Sequence, residues 1–269
     1  MNEHAVANSP ATRRSQLLAA LESRGEQSVE QLAQMLGVSG MTIRRDLQDL
    51  ADSAKVIRTH GGATPAARVS FDFRFLERSQ QQAAAKEAIA QVAASRVRPG
   101  DSILLDSGTT TLAIARRLRL IEGITVITTS LPIASELYGL ATVSTILLGG
   151  QLRHDSPDLY GAITDHSLDV LRANVAFIGA DAVDAQGHAY NASADIGRLL
   201  TRMAGAADKV YAVADHSKVG RRDLMRFADL RLWQGLITDT GLESKLKQSL
   251  EKAGVRLYLP ASVKQKGRA

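Results

Sequence analysis

The run Asp106-Ser107-Gly108-Thr109-Thr110-Thr111 follows an apolar stretch and opens a helical one. A glycine and hydroxyl-rich loop at a helix start offers free backbone N–H groups and the positive end of the helix dipole, the chemistry of an anion site. Capping that helix needs one hydroxyl. Four hydroxyl residues in five positions exceed the need, so Asp106, Ser107, Gly108, Thr109 and Thr110 are predicted to hold an anion. Polar residues recur after other apolar runs: Thr128-Thr129-Ser130, Gly149-Gly150, Asp181 and Lys218. The lysine supplies a cation for phosphate, Asp181 a carboxylate for hydroxyls, and the glycine pair room for close approach. A phosphorylated sugar or related metabolite fits this set.

Loops converge only if the elements before them are ordered. "DSILLD", "GITVITT", "VSTILLGG", "NVAFIGA", "KVYAVAD" and "GLITD" are short β-rich runs, and "TLAIARRLRL", "LPIASELYGL" and "ADIGRLLTRMAGAA" are helical segments between them. This alternation predicts a mostly parallel sheet covered on both faces. Ligands in such sheets bind outside the carboxyl ends of the strands, where these loops lie.

A second group of residues precedes this region. Ser9-Pro10 starts a helix that Gly25 ends, Ser28 to Gln31 is a capping box, and Ser39 caps a third helix after a short turn at Gly37. On a wheel at about 100° per residue, Ile43, Leu47 and Leu50 share one sector. Met41, Arg45 and Gln48 fall opposite, flanked by Thr42 and Arg44. A short helix, a tight turn and an outward-facing second helix form a helix-turn-helix, whose second helix fits a major groove. "KVIRTHGGA" then reads as a basic wing, with Arg58 and His60 directed at the backbone or minor groove. Candidate DNA contacts are Ser39, Met41, Thr42, Arg44, Arg45, Gln48, Arg58 and His60. Net charge does not carry this reading, because basic and acidic side chains nearly balance in the first sixty residues; the arrangement does.

"LGVSGMTIRRDLQDL" with "RTHGGA" resembles the DeoR-type bacterial transcriptional regulators, and "LLDSGTTT", "TTS", "LLGG", "FIGADAVD" and "ADHSKVG" resemble the sensor domain of the same family. The resemblance spans residues 10 to 240. Gly40 departs from the larger polar or acidic residue common in similar sequences. The implied fold class is α/β: an N-terminal winged helix-turn-helix domain followed by a mostly parallel α/β sensor domain resembling ribose-5-phosphate isomerase-like folds. The implied partners are double-stranded operator DNA and a phosphorylated sugar, with repression of a carbohydrate operon, and a homodimer or homotetramer matches paired half-sites. A sugar-phosphate isomerase with an appended DNA-binding domain is the alternative. In the enzymes a G-A-D-E-like loop contributes catalytic carboxylates; here Asp181 is followed by Ala182. A proton-moving enzyme needs a positioned base, and has no use for residues 10 to 62.

The expected organisation is a DNA-binding domain at 1–63, a connector at 64–80, the effector-sensing domain at 81–260 and a basic disordered tail at 261–269. Within the connector, Phe71, Phe73 and Phe75 alternate and predict a strand or arm docked on the larger domain. The chain has 269 residues, a net charge of +5 and no cysteine, which excludes a disulfide framework and thiolate metal sites. No metal or cofactor is expected. No apolar run suits a membrane span and the first residues do not read as a signal peptide, so a cytoplasmic location is expected.

Overall fold

The computed structural model describes residues 9–53, 55–65 and 71–260. The first eight residues and the tail at 261–269 lie outside the described residues, as do residues 66–70 of the expected connector. The chain divides into two compact units, Met1–Ser70 and Phe71–Ala269.

In the first unit, Ser9 accepts from the Thr12 amide and starts α1 (Pro10–Arg24), which Gly25 ends at φ 74°. After β1 (Gln27–Ser28), Ser28 and Gln31 form the expected capping box on α2 (Val29–Leu36), and left-handed Gly37 turns the chain. Ser39 caps α3 (Gly40–Asp52). Ile43, Leu47 and Leu50 of α3 pack with Leu17, Leu21 and Leu32 in one core. β2 (Val56–Arg58) and β3 (Gly62–Pro65) form an antiparallel wing, and β3 also pairs with β1. A Cβ on Gly62 would lie 2.0 Å from the Gln27 carbonyl oxygen, so only glycine lets the wing close against β1. The winged helix-turn-helix is as expected; the short strand β1 was not foreseen.

The second unit opens differently from the expectation. Residues Phe71–Gln80 form a helix, α4, and not a strand or arm. Phe71 and Phe75 are four apart, one helical turn, so the spacing that suggests alternation also suits a helix. Phe75 docks in the core beside Ile89 and Leu112. The division between the two units falls between Ser70 and Phe71, ahead of α4.

After α5 (Ala83–Ala94), strands and helices alternate: β4 (Ser102–Leu105), α6 (Thr109–Leu118), β5 (Ile124–Thr128), α7 (Leu131–Leu137) and β6 (Val143–Leu147). A hairpin, β7 (Gln151–Leu152) and β8 (Leu159–Tyr160), leads to α8 (Ala162–Val170) and β9 (Ala173–Gly179). Next come β10 (Ala182–Val183), β11 (His188–Asn191), α9 (Ala194–Gly205), β12 (Ala207–Val213) and β13 (Met225–Asp229). The described chain ends with β14 (Gly235–Ile237), α10 (Ser244–Lys252) and β15 (Leu257–Tyr258). Seven strands make one sheet in the order β15-β14-β12-β9-β4-β5-β6, with every pairing parallel. All six predicted strand runs belong to it. β10, β11 and β13 form a small antiparallel sheet that sequence alternation did not reveal.

The sheet is covered on both faces. Ile103 and Leu105 enter the core under α5, α6 and α7, whereas Leu104 enters the core under α9. The register pairs Leu105 with both Thr128 and Phe177, and Val213 with both Gly179 and Ile237. This brings the loops after β4, β5, β9, β12 and β14 to one edge of the sheet.

Candidate DNA and effector sites

The outward face of α3 is open. Ser39, Arg44, Arg45 and Gln48 are exposed, and Met41 is 72% exposed. Thr42 is half-buried, and its hydroxyl lies 2.9 Å from that of Ser39, so this pair also serves the cap. Arg58 and His60 of the wing segment are exposed. Arg58 Nη1 donates to Gln48 Oε1 at 2.8 Å, and Gln48 Nε2 donates to Asp52. Wing and helix thus share a side-chain network on the open face.

What orients this face is a pair that sequence reasoning missed. Asp46, buried on α3, accepts from Arg13 Nε at 2.5 Å and Nη2 at 3.2 Å. Arg14 reaches Asp49 at 2.7 Å. Two ion pairs therefore lock α1 across the back of α3. On the wheel Asp46 sits between the core sector and the open face, and that was the available signal.

In the second unit, Asp106 is buried and its carboxylate turns inward. Oδ1 accepts from the Gly108 amide at 3.1 Å and the Thr111 hydroxyl at 2.7 Å, and Oδ2 from the Gly179 amide at 2.7 Å. Burial pushes its pKa up, against the three hydrogen bonds. Asp106 thereby shapes the loop and joins it to the end of β9. The helix it introduces follows Gly108 at the cap position and has no side-chain cap. By contrast α1, α2, α3, α7 and α9 each carry a serine cap. The hydroxyls of this loop are not used to cap α6, so its first-turn N–H groups face the loop without a side-chain acceptor.

The second loop is buried. Thr128, Thr129 and Ser130 are at most 1% exposed; Ser130 caps α7, and the Thr128 hydroxyl accepts from the Ser130 amide. Gly149 and Gly150 meet protein: a Cβ on Gly150 would lie 2.6 Å from the Tyr160 carbonyl oxygen, and Thr164 donates to Gly149 O at 2.7 Å. The close approach expected there is made by backbone. Asp181 is half-buried, with Oδ2 accepting from the Ala192 amide at 3.2 Å. Lys218 lies half-buried in a 3₁₀ turn, His216–Lys218, that Asp215 caps.

Several further residues meet here. Asp158, buried on the β7–β8 hairpin, accepts from the Ser107 hydroxyl. Arg153 Nε stands 3.0 Å from Asp158 Oδ1, too oblique for a hydrogen bond. Burial pushes the Asp158 carboxyl up, while Arg153 and Ser107 oppose this. His216 Nδ1 pairs with Asp239 at 2.8 Å, tying the β12 loop to the β14 loop. Burial raises the Asp239 carboxyl, but amides of His216 and Gly241 together with the His216 ring hold it below its ordinary value. Lys86 on α5 is buried; desolvation lowers its pKa, while Asp215 opposes this and Lys218 and Arg78 add to it. Lys86 had a readable signal, since 86, 89, 90 and 93 form one helical stripe with Ile89, Ala90 and Ala93 on the buried face. Asp158 had none, because its hairpin is too short for a periodic pattern.

Among the described residues no cluster of His, Cys, Asp or Glu could hold a metal ion, and no helix is long and apolar enough to cross a membrane.

Residues 13–68 match the DeoR-like helix-turn-helix domain, and residues 81–240 match the DeoR C terminal sensor domain. The chain belongs to the DeoR family of transcriptional regulators. It is 33% identical to the HTH-type transcriptional regulator GlpR of Haloferax volcanii, over 91% of this chain and 96% of that one. It is 28% identical to the glycerol-3-phosphate regulon repressor of Escherichia coli K12, over 89% and 94%. Ribose 5-phosphate isomerase A from Methanocaldococcus jannaschii covers 50% of this chain and 53% of its own at 19% identity, with a TM-score of 0.37. DeoR-family relatives are named as regulators, and Ala182 is buried in β10.

Proposed function

We propose that this DeoR-family chain is a cytoplasmic repressor of a carbohydrate catabolic operon whose affinity for operator DNA is changed by a phosphorylated sugar. DNA binding is assigned to Ser39, Met41, Thr42, Arg44, Arg45 and Gln48 on α3 with Arg58 and His60 on the wing. Arg45 stands on the open face near the helix start, where arginine pairs bidentately with guanine. A homodimer or homotetramer presents two such helices to two half-sites.

The observation that carries the effector reading is the α6 N-terminus. It follows Gly108 without a side-chain cap, at a sheet edge that also holds Lys218 and a buried Lys86. Uncapped amides and two ammonium groups suit a phosphate. Ser107, Gly108, Thr109 and Thr110 contact the phosphate, Asp181 takes sugar hydroxyls, and Asp106, Thr128, Thr129, Ser130, Gly149 and Gly150 hold the walls. A relative named for a glycerol-3-phosphate regulon supports a phosphorylated effector. Effector and DNA are coupled by a free energy of about 1–3 kcal/mol, typical of such linkage.

The test has two steps. An operator is selected from random-sequence DNA, and a panel of sugar phosphates is screened by thermal shift, since a specific ligand raises the melting temperature by mass action. The hit is expected to shift operator affinity about tenfold, within the usual coupling range. A panel that moves neither melting temperature nor operator affinity overturns the effector assignment.

A further inference from the structure

The corner between α4 and α5 is closed by an ammonium group. Lys86 Nζ donates to the Arg78 carbonyl in the last turn of α4 and, at 2.6 Å, to the carbonyl of Gln81 just beyond its end. Between the helices Gln82 is left-handed at φ 53°, the one such residue among the described non-glycines, and α5 has no side-chain cap. A lysine at a helix C-terminus both satisfies orphan carbonyls and suits the dipole. The side chain is only 7% exposed, and this ammonium has three N–H donors, of which the two carbonyls take two.

This corner lies beside the effector loops. α4 and α5 both pack on α6, the helix that carries the Ser107–Thr110 loop at its start. Asp215 and Lys218 act on the Lys86 charge, and Arg78 acts on Asp158, which is bonded to Ser107. α4 is also the first element of the sensor unit in chain order, directly after the link from the DNA-binding unit.

We propose that Lys86 is the transmitting residue of the regulator: an anion at the Ser107–Thr110 loop draws its ammonium away from the carbonyls of Arg78 and Gln81, and the α4–α5 corner loosens. The inference rests on the effector reading above. Its physical basis is competition for one donor group. In a buried site a phosphate dianion outbids two neutral carbonyls for an ammonium, because Coulomb attraction is weakly screened there. The carbonyls that lose it are then left without their charged partner, and the positive-φ residue Gln82 is held by less. The last turn of α4 gives way first.

Amide hydrogen exchange on the full chain tests this, with inorganic phosphate as probe, added until the melting temperature stops rising, and sulfate as a second anion. In the wild type, phosphate is expected to slow exchange at 107–111 and to speed it several-fold at Gln81, whose amide donates to Glu77 O. In Lys86→Met the loop is still protected, at higher phosphate, and Gln81 no longer responds. Lys86→Arg, which keeps donors and charge, restores part of the response and serves if Lys86→Met does not fold. Loop protection in the wild type without faster exchange at Gln81 overturns the transmitter alone. A Gln81 response that persists in Lys86→Met does the same. No protection at 107–111 overturns the effector reading and the transmitter together. Sulfate is also a dianion and is expected to produce the same coupled change at 107–111 and Gln81; protection of the loop by sulfate without faster exchange at Gln81 overturns competition for the ammonium.

Discussion

The two units handle polar side chains in opposite ways. In the DNA-binding unit the charged residues of the open face point outward, and structure is kept by a buried pair behind them, Arg13 with Asp46. In the sensor unit the polar residues at the strand ends turn inward: Thr111, Thr128 and Ser130 are wholly buried, and Asp106 is used by three donors of its own chain. A groove in DNA is a large partner that a convex helix must approach, so the reading groups stay solvated. Under the proposed effector reading a small anion is enclosed, by backbone amides held in place with side chains that the ligand need not touch. Mutations should therefore separate cleanly into binding defects in the first unit and folding defects in the second.

The largest effect is expected from Asp106→Ala. It leaves the Gly108 and Gly179 amides without their acceptor, while the Thr111 hydroxyl keeps the carbonyls of Asp106 and Gly108. Loss of at least about 2 kcal/mol is expected, since each donor left unpaired in the interior costs roughly 1–3 kcal/mol. Denaturant unfolding of the full chain reads it. Stability within about 1 kcal/mol of wild type would mean that water or the loop replaces the carboxylate, and the contrast between the units would weaken.

Arg45→Ala should show the opposite pattern. Operator affinity falls by roughly 1–3 kcal/mol with relaxed preference at one base pair, while the unfolding midpoint stays put. Binding at fixed salt by a folded variant checks it. Unchanged affinity and base preference would remove Arg45 from the reading face.

The pH dependence sharpens the sensor side. The Asp158 carboxyl is raised above its ordinary 3.8 by burial, so the folded state binds this proton more tightly than the unfolded one. Its contribution is fully present below 3.8 and is lost as pH rises through the folded value. Asp158→Asn should therefore gain on the wild type as pH goes from 4 to 7, by about 1 kcal/mol for each unit of the shift. Paired urea titrations measure this; a difference independent of pH would mean that Arg153 compensates fully. Asp229 on β13 behaves in reverse: Arg231 holds it at about 2, and its contribution is lost as pH falls below 3.8.

The smallest effect belongs to Gly40→Ala at the first position of α3. The added Cβ would meet Val29 Cγ1 at 3.4 Å, an ordinary contact. A gain of roughly 0.5 kcal/mol is expected from the lower backbone entropy of the unfolded chain, with operator binding unchanged. A loss of affinity would make the Gly40 backbone part of the DNA contact.

The same contrast explains what the sequence made legible. An exposed reading face obeys the helical period, so Met41, Arg45 and Gln48 could be placed by angle alone, and parallel strands announce themselves as apolar runs. Pairings across the fold carry no period. Arg13 meets Asp46 from another helix, Asp158 meets Ser107 across 51 residues, and hydroxyls such as Thr128 read alike whether they face a ligand or a cap. The phenylalanines at 71, 73 and 75 misled for a related reason, since spacings of two and four coexist and only packing selects between them.

The strand order also has a temporal side. β4 pairs with β5 on one edge and with β9 on the other, where Ile103 waits for Val175. At synthesis rates of about 5–20 residues per second, the first half-sheet emerges with the β4 edge open for roughly 4–14 s before β9 is made. During that interval Ser102-Ile103-Leu104-Leu105 is an apolar strand with one edge unpaired on the ribosome, open to pairing with another nascent chain. Assembly of this regulator is therefore most vulnerable at a strand that later sits inside its sheet, next to the central strand β9.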